Sequence, residues 1–484
     1  MHSMSPSDAS GAIGLPSFFN TRGRKVEPLT IAEPGRASIY TCGPTVYRYA
    51  HLGNLRSFLL ADLVVRICQF AGLKTRQVVN ITDIGHMTDE VTGEGDDKIL
   101  LAAEVEGKSP SEIADFYTGA FLDDCALAGM TPADDYPRAS KHISEMIELI
   151  ECLLDKGNAY VSGGSVYFDV STFPGYGSLS GNSLKQLKPG HRKVVTDPQK
   201  RRAEDFLLWK AAGPRRLVKF PSPWSEGYPG WHIECSAMSL KLLGDRIDIH
   251  TAGIDLVFPH HEDEIAQSDA ATGHRVVGHW IHGEHLLMSG NKMAKSAGNT
   301  LRMTDIAESG LDPLAFRLLM FGARYRKQVH FSMEALEAAD TSLTRLRRAF
   351  GDLGEPLPLD ELEMSSSATR AHEEFSKAVM SDIDTATAVR VLYSTASNRS
   401  IPSIQRVSLA AAWDRILGLN LTDTQSTHTP EPKISGEEVL ELIKARDAAR
   451  ASRDFTEADR IRDRLAEAGV VLTDTPAGTD WYHG

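Results

Sequence analysis

No apolar run in this chain is long enough to cross a bilayer as a helix, so no membrane partner is expected. Met1 to Ile13 lacks the basic start and apolar core of a secretory signal; residues 1–16 are expected to be disordered and the protein to stay in the cytoplasm. Cysteine is scarce. Its five copies, Cys42, Cys68, Cys125, Cys152 and Cys235, are odd in number and widely scattered, which excludes a disulfide scaffold and suits reduced thiols. Positive charge is also short, with 52 Lys and Arg against 65 Asp and Glu and a net charge of −13. A generally basic protein that coats nucleic acid is thereby excluded, while local basic patches remain open to an acidic partner. Lys185 to Arg202 and the helix bearing Arg446, Arg450 and Arg453 are two such stretches, and each fits a solvated charged face equally well. The Gly-x-Gly-x-x-Gly fingerprint is missing too, which removes an ordinary dinucleotide fold.

What remains is a globular composition, 42% hydrophobic and 24% charged over 484 residues, enough for roughly two to four domains. Its organising stretch is Tyr40 to Asn54. An apolar strand, Ala37 to Cys42, turns through Gly43 and Pro44, and His51-Leu-Gly-Asn54 opens a helix with Phe58, Leu59, Leu63, Val64 and Ile67 at helical spacing. Arg76 to Ile81 reads as the second strand of a parallel βαβ unit. Such a unit aims free backbone N–H groups and the positive helix end at the turn, where a nucleotide phosphate would sit. Asn80-Ile-Thr-Asp83 closes the second strand, so Thr82 and Asp83 are candidates for touching substrate; Asp83 suits a helix cap equally.

Further along, helices are expected from Thr88 to about Asp124, and Ser140 to Asp155 is an amphipathic helix with Ile143, Met146, Ile147, Ile150 and Leu154 on one stripe. Gly164 to Val170 reads as a strand. Residues 125–222 separate two halves of one fold, 17–124 and 223–300, and so read as an insertion. Helical segments at 301–350 and 351–421 follow; Thr422 to Pro432 is a linker, and 433–484 is a small terminal module whose last helix opens on Asp454 and Glu457 and stops at Gly469. The expected class is α/β: a Rossmann-like parallel-sheet catalytic domain with an inserted connective domain, followed by an α-helical C-terminal region.

Cys42, Cys235, His260 and Glu264 are donors of the types that bind zinc, and His260 and Glu264, four apart, would share one helix face. No pair has zinc-finger spacing, so buried free cysteines and a capping His-His pair fit these residues as well.

The pairing of His51-Leu-Gly-Asn54 with Lys292-Met-Ala-Lys-Ser296 resembles the HIGH and KMSKS signatures of class I aminoacyl-tRNA synthetases. Cys42-Gly-Pro-Thr-Val-Tyr47, Trp231-His-Ile-Glu-Cys-Ser-Ala-Met238 and Phe258-Pro-His-His-Glu-x-Glu-x-Ala-Gln267 resemble the cysteinyl-tRNA synthetase family, and the similarity runs from Phe18 to Trp481. The resemblance implies one Zn2+ per chain on Cys42, Cys235, His260 and Glu264, with ATP, Mg2+, L-cysteine and tRNA(Cys) as reaction partners and a monomeric ligase. It implies catalytic roles for Lys295, Lys292, His51 and Asn54, nucleotide contacts from Gly53, Gly253 and Asp255, and substrate contacts from Thr45, Thr82 and Trp231, although Trp231 also suits a core position. By the same resemblance 301–350 contacts the stem and 433–484 reads the anticodon. Three residues depart from the family pattern: Asn54, Ala294 and Ala252.

A physical reason fits that metal. An apolar pocket separates cysteine from serine only modestly, whereas a zinc ion separates sulfur from oxygen by softness, and this chain has no segment large enough for proofreading. The rival readings are a cysteine ligase of mycothiol synthesis, which would lack the terminal module, and a non-enzymatic zinc-stabilised RNA-binding protein, which would lack the two signatures.

Overall fold

The computed structural model describes residues 14–85, 87–89, 94–182, 197–213, 216–288, 291–292, 300–423, 436–452, 454–468, 470–475 and 478–483. Strand β1 (Arg36–Thr41) buries Ala37, Ile39 and Tyr40, helix α1 (Leu52–Phe70) crosses back, and β2 (Lys74–Val79) pairs parallel to β1, with Tyr40 opposite Val78. The second half repeats the pattern. Helix α2 (Trp231–Leu243) precedes β3 (Ile247–Gly253), and α3 (Glu262–Thr272) precedes β4 (Val277–Gly283). The sheet order is β4-β3-β1-β2, all parallel, so the connections diverge between β3 and β1. Ligands of such sheets bind beyond the carboxyl ends at that divergence, which is where Cys42 and Gly253 lie.

Helix α1 is buried on more than one side, because Ser403–Leu417 packs on it opposite the sheet. Its polar residues are correspondingly engaged: the Arg56 guanidinium donates to the carbonyls of His285 and Lys327, at 2.5 Å each.

The insertion contributes helix Ile143–Asp155 and a four-stranded antiparallel sheet of Ala159–Ser162, Ser165–Phe168, Phe206–Ala211 and Gly227–Pro229. That last strand lies beyond the expected boundary at residue 222. The helix starts three residues later than Ser140 because Asp83 accepts from the Ser140 N–H and hydroxyl at 2.8 and 2.6 Å, holding Ala139–Lys141 as a separate short turn. Asp83 is therefore engaged in tethering that turn.

The helices Leu314–Phe321, Met333–Gly351, Ser366–Met380, Thr385–Ser397 and Ser403–Leu417 share one core with α1. The terminal module has its own small core of Val439, Ile443, Ile461, Leu465 and Val470. Asp454 accepts from the Glu457 N–H at 3.1 Å, as its expected cap role requires, but the module ends in an unforeseen hairpin, Val470–Thr475 with Gly478–His483. A second unforeseen hairpin, Met87–Asp89 with Glu94–Asp97, precedes the helices expected after Thr88. Among the described residues no helix is long and apolar enough to cross a membrane.

Candidate active site and metal centre

The turn after β1 is shaped by its neighbour strand. The Gly43 N–H donates to Asn80 Oδ1 at 2.8 Å, and a Cβ at Gly43 would fall 1.5 Å from the Asn80 carbonyl oxygen, so no side chain fits. Thr45 bridges to Thr82, with the Val46 N–H donating to the Thr82 carbonyl at 3.2 Å and the Thr82 N–H to the Pro44 carbonyl at 3.1 Å. The Thr82 hydroxyl is buried and donates to Glu234 Oε2 at 3.0 Å, so it positions a carboxylate of α2.

His51 caps α1. The Asn54 N–H donates to His51 Nδ1 at 3.2 Å, while Asn54 Oδ1 accepts from the His51 N–H at 3.2 Å. This reciprocal cap holds the first turn, including Gly53, at the helix's positive end. The Leu52 N–H donates to the Leu301 carbonyl at 2.8 Å, which brings the end of the Lys292 segment back to α1. Lys292 pairs with Leu287 on a short strand; its side chain, Lys295, Ala294, Arg453, residues 183–196 of the basic stretch and the Trp481 side chain fall outside the described residues. At the end of β3, a Cβ on Gly253 would lie 2.6 Å from Asp255 Oδ1 and 3.1 Å from Ser57 Oγ, so the glycine lets Asp255 fold back toward α1.

Cys42, Cys235, His260 and Glu264 come together from four separate segments. One donor atom of each lies within 4.8 Å of the others, and exposures of 7, 1, 1 and 3% bury all four. Cys42 Sγ stands 3.9 Å from Cys235 Sγ and 3.6 Å from Glu264 Oε1. His260 Nε2 is 3.0 Å from Glu264 Oε1, yet it is buried and makes no hydrogen bond. Two thiols, an imidazole nitrogen without a hydrogen bond and a carboxylate converging on one buried point form a donor set of the kind that binds a cation. The cluster is a site compatible with a metal ion.

Helix spacing held only in part: Glu264 lies in the first turn of α3, and His260 belongs to the preceding turn, Val257–His261. Trp231 is half-buried, its ring centroid 4.4 Å from that of His260, so it walls the cluster and is no core tryptophan.

Sequence reasoning missed a second ring of side chains. His250 and His261 direct Nε2 at Cys42 Sγ from 3.6 and 3.3 Å and form an alternative donor set with Cys42 and Glu264. His261 Nδ1 lies 2.7 Å from His282 Nε2. The signal was strand register, since Tyr40, His250 and Trp280 stand side by side on β1, β3 and β4, but that requires the sheet order. Burial pushes His250 and His261 well down, and His282 down to about 3, so all three imidazoles are neutral. Burial likewise pushes the Cys42 thiol and the Glu264 acid upward, which makes this a place where negative charge needs a cationic partner.

A parallel sheet whose connections diverge beside a helix capped by His51 and Asn54 is the arrangement of a class I tRNA synthetase, and the family comparison assigns the chain to that class. Residues 28–341 match the family model described as the tRNA synthetases class I (C) catalytic domain, and residues 435–481 match the cysteinyl-tRNA ligase anticodon binding domain. Cysteine–tRNA ligases of Treponema denticola and Thermus thermophilus are 39% and 41% identical to the chain, each over 96% of it and over 99% and 98% of their own lengths. The methionyl-tRNA synthetase of Mycobacterium tuberculosis, solved with methionyl-adenylate, shares the fold at 13% identity and a TM-score of 0.56, over 79% of this chain and 90% of that one. The chain belongs to the cysteinyl-tRNA ligase family.

Proposed function

We propose that this protein, a cytoplasmic monomer, joins L-cysteine to the 3′ end of tRNA(Cys) with ATP, and selects cysteine with one zinc ion held by Cys42, Cys235, His260 and Glu264. The observation that carries the reading is the convergence of those four donors within 4.8 Å. When bound, zinc supplies a soft Lewis acid that favours a substrate thiolate over a hydroxyl. The Trp231 ring, 4.4 Å from that of His260, supports a substrate contact from this side, and Thr45, bridged to Thr82, is assigned a second contact while Thr82 holds Glu234 in place.

In the first step the cysteine carboxylate oxygen attacks the α-phosphorus of Mg2+-bound ATP, the bond to the bridging oxygen breaks, and pyrophosphate leaves. Charge grows on the phosphate oxygens, and the groups assigned to meet it are His51, Gly53 and Asn54 at the start of α1 and the lysines Lys292 and Lys295. Asp255, admitted by Gly253, accepts from the ribose hydroxyls. In the second step a hydroxyl of the terminal tRNA ribose attacks the cysteinyl carbonyl and AMP departs. The match of residues 435–481 to an anticodon binding domain supports tRNA over an amino sugar as acceptor.

The test is cysteine-dependent ATP–pyrophosphate exchange together with elemental analysis. Lys295→Ala is expected to lower exchange by about 10²–10³-fold with folding unchanged. Cys235→Ser is expected to lower zinc content and raise the cysteine KM while sparing the ATP KM. A Cys235→Ser protein with full zinc and wild-type kinetics contradicts the metal assignment, and unchanged exchange by Lys295→Ala contradicts the lysine's role.

A further inference from the structure

The face of His260 turned away from the cluster is tied to the insertion through a line of polar groups. His260 Nδ1 lies 2.8 Å from His232 Nδ1, His232 Nε2 lies 3.2 Å from Asp263 Oδ2, and the Tyr176 hydroxyl donates to Asp263 Oδ1. Asp263 is 1% exposed, and the neighbouring Glu262 accepts the N–H groups of Gly177 at 2.8 Å, Ser180 at 2.9 Å and Leu179 at 3.4 Å, clamping the turn that carries Tyr176.

Proton counting gives this line a direction. Burial pushes the Asp263 acid upward while the Tyr176 hydroxyl that donates to it favours the carboxylate; in the carboxylate form Asp263 only accepts, and His232 then carries its proton on Nε2, which leaves a lone pair on Nδ1. Two ring nitrogens in contact need one proton between them, so His260 must supply it from Nδ1. That leaves the lone pair of His260 on Nε2, the buried atom without a hydrogen bond beside Glu264. One proton order thus runs from an insertion tyrosine to the donor set.

We propose that Tyr176, Asp263 and His232 are positioning residues that fix the Nδ1–H tautomer of His260, so that the inserted domain sets how tightly and in what geometry the metal is held. The proposal rests on the zinc reading above. Outer partners of a metal-bound histidine orient the ring and raise its basicity, and their loss typically costs about 10–100-fold in affinity or activity.

The test uses the full-length protein, loaded with zinc or with cobalt(II), as wild type, Tyr176→Phe and Asp263→Asn. In the wild type, long-range nitrogen–proton NMR correlations should place the protons on His260 Nδ1 and His232 Nε2. Both variants should release zinc to a chelator about 10–100-fold faster, with a displaced visible cobalt spectrum and a raised cysteine KM at an unchanged ATP KM. A wild type with the opposite tautomers overturns the proposal, as do variants whose release rate and cobalt spectrum equal the wild type's. A wild-type protein that takes up neither metal fails differently: it refutes the metal centre, and the relay with it.

Discussion

Asp62 is a charge in the middle of a buried helix, and its surroundings explain how it is tolerated. Arg317 Nη2 donates to Asp62 Oδ2 at 2.5 Å, Arg66 Nε donates to both oxygens at 2.8 and 2.9 Å, and the Thr131 N–H adds a bond at 2.9 Å. Burial pushes this carboxyl up, but Arg317, Arg66 and the Thr131 bond outweigh it and hold the pKa below the ordinary 3.8. A carboxyl depressed on folding adds stability that is present above its unfolded pKa and is lost as pH falls through the folded one. Asp62→Asn should therefore weaken the acid-side loss of stability below about pH 4. At neutral pH it should cost about 3–5 kcal/mol, because Arg317 stays buried without the carboxylate it donates to. Denaturant titrations at neutral and acid pH check both; a neutral-pH loss under about 1 kcal/mol would mean the pair is replaceable.

The loop from β1 to α1 and the end of β3 serve different halves of the site, and their glycines separate the two. Gly43→Ala places a Cβ against the Asn80 backbone, which cannot yield cheaply, so Cys42 and the start of α1 must both move. Zinc content and exchange should fall together. Gly253→Ala meets the Asp255 side chain instead and should raise the ATP KM with zinc content intact. Elemental analysis beside exchange kinetics decides this, and a Gly253→Ala protein that loses zinc would contradict the division. The same elements show what could be read in advance. Helix α1 and strands β1 and β2 announce themselves by apolar spacing. The Met87–Asp97 hairpin does not, because Glu94-Gly-Asp-Asp97 carries no apolar alternation, and the late start of helix Ile143–Asp155 depends on Asp83, distant in sequence.

The described chain has a catalytic body whose core continues into the helices up to Leu421, and a terminal module with a core of its own. A chain ending at Pro432 should fold, form cysteinyl-adenylate at the full-length rate and charge tRNA poorly; normal charging would remove the module's role. The four residues of the cluster were legible through family resemblance and not through spacing, since Cys42 and Glu264 are 222 positions apart. His250, His261 and His282 stayed hidden because nothing linear in the chain declares which strands are neighbours. The most direct test of cysteine selection by this fold is exchange and tRNA charging measured on one preparation, with serine competing against cysteine. The expected result is exchange and charging with cysteine and neither with serine; exchange without charging, or equal use of serine, would contradict it.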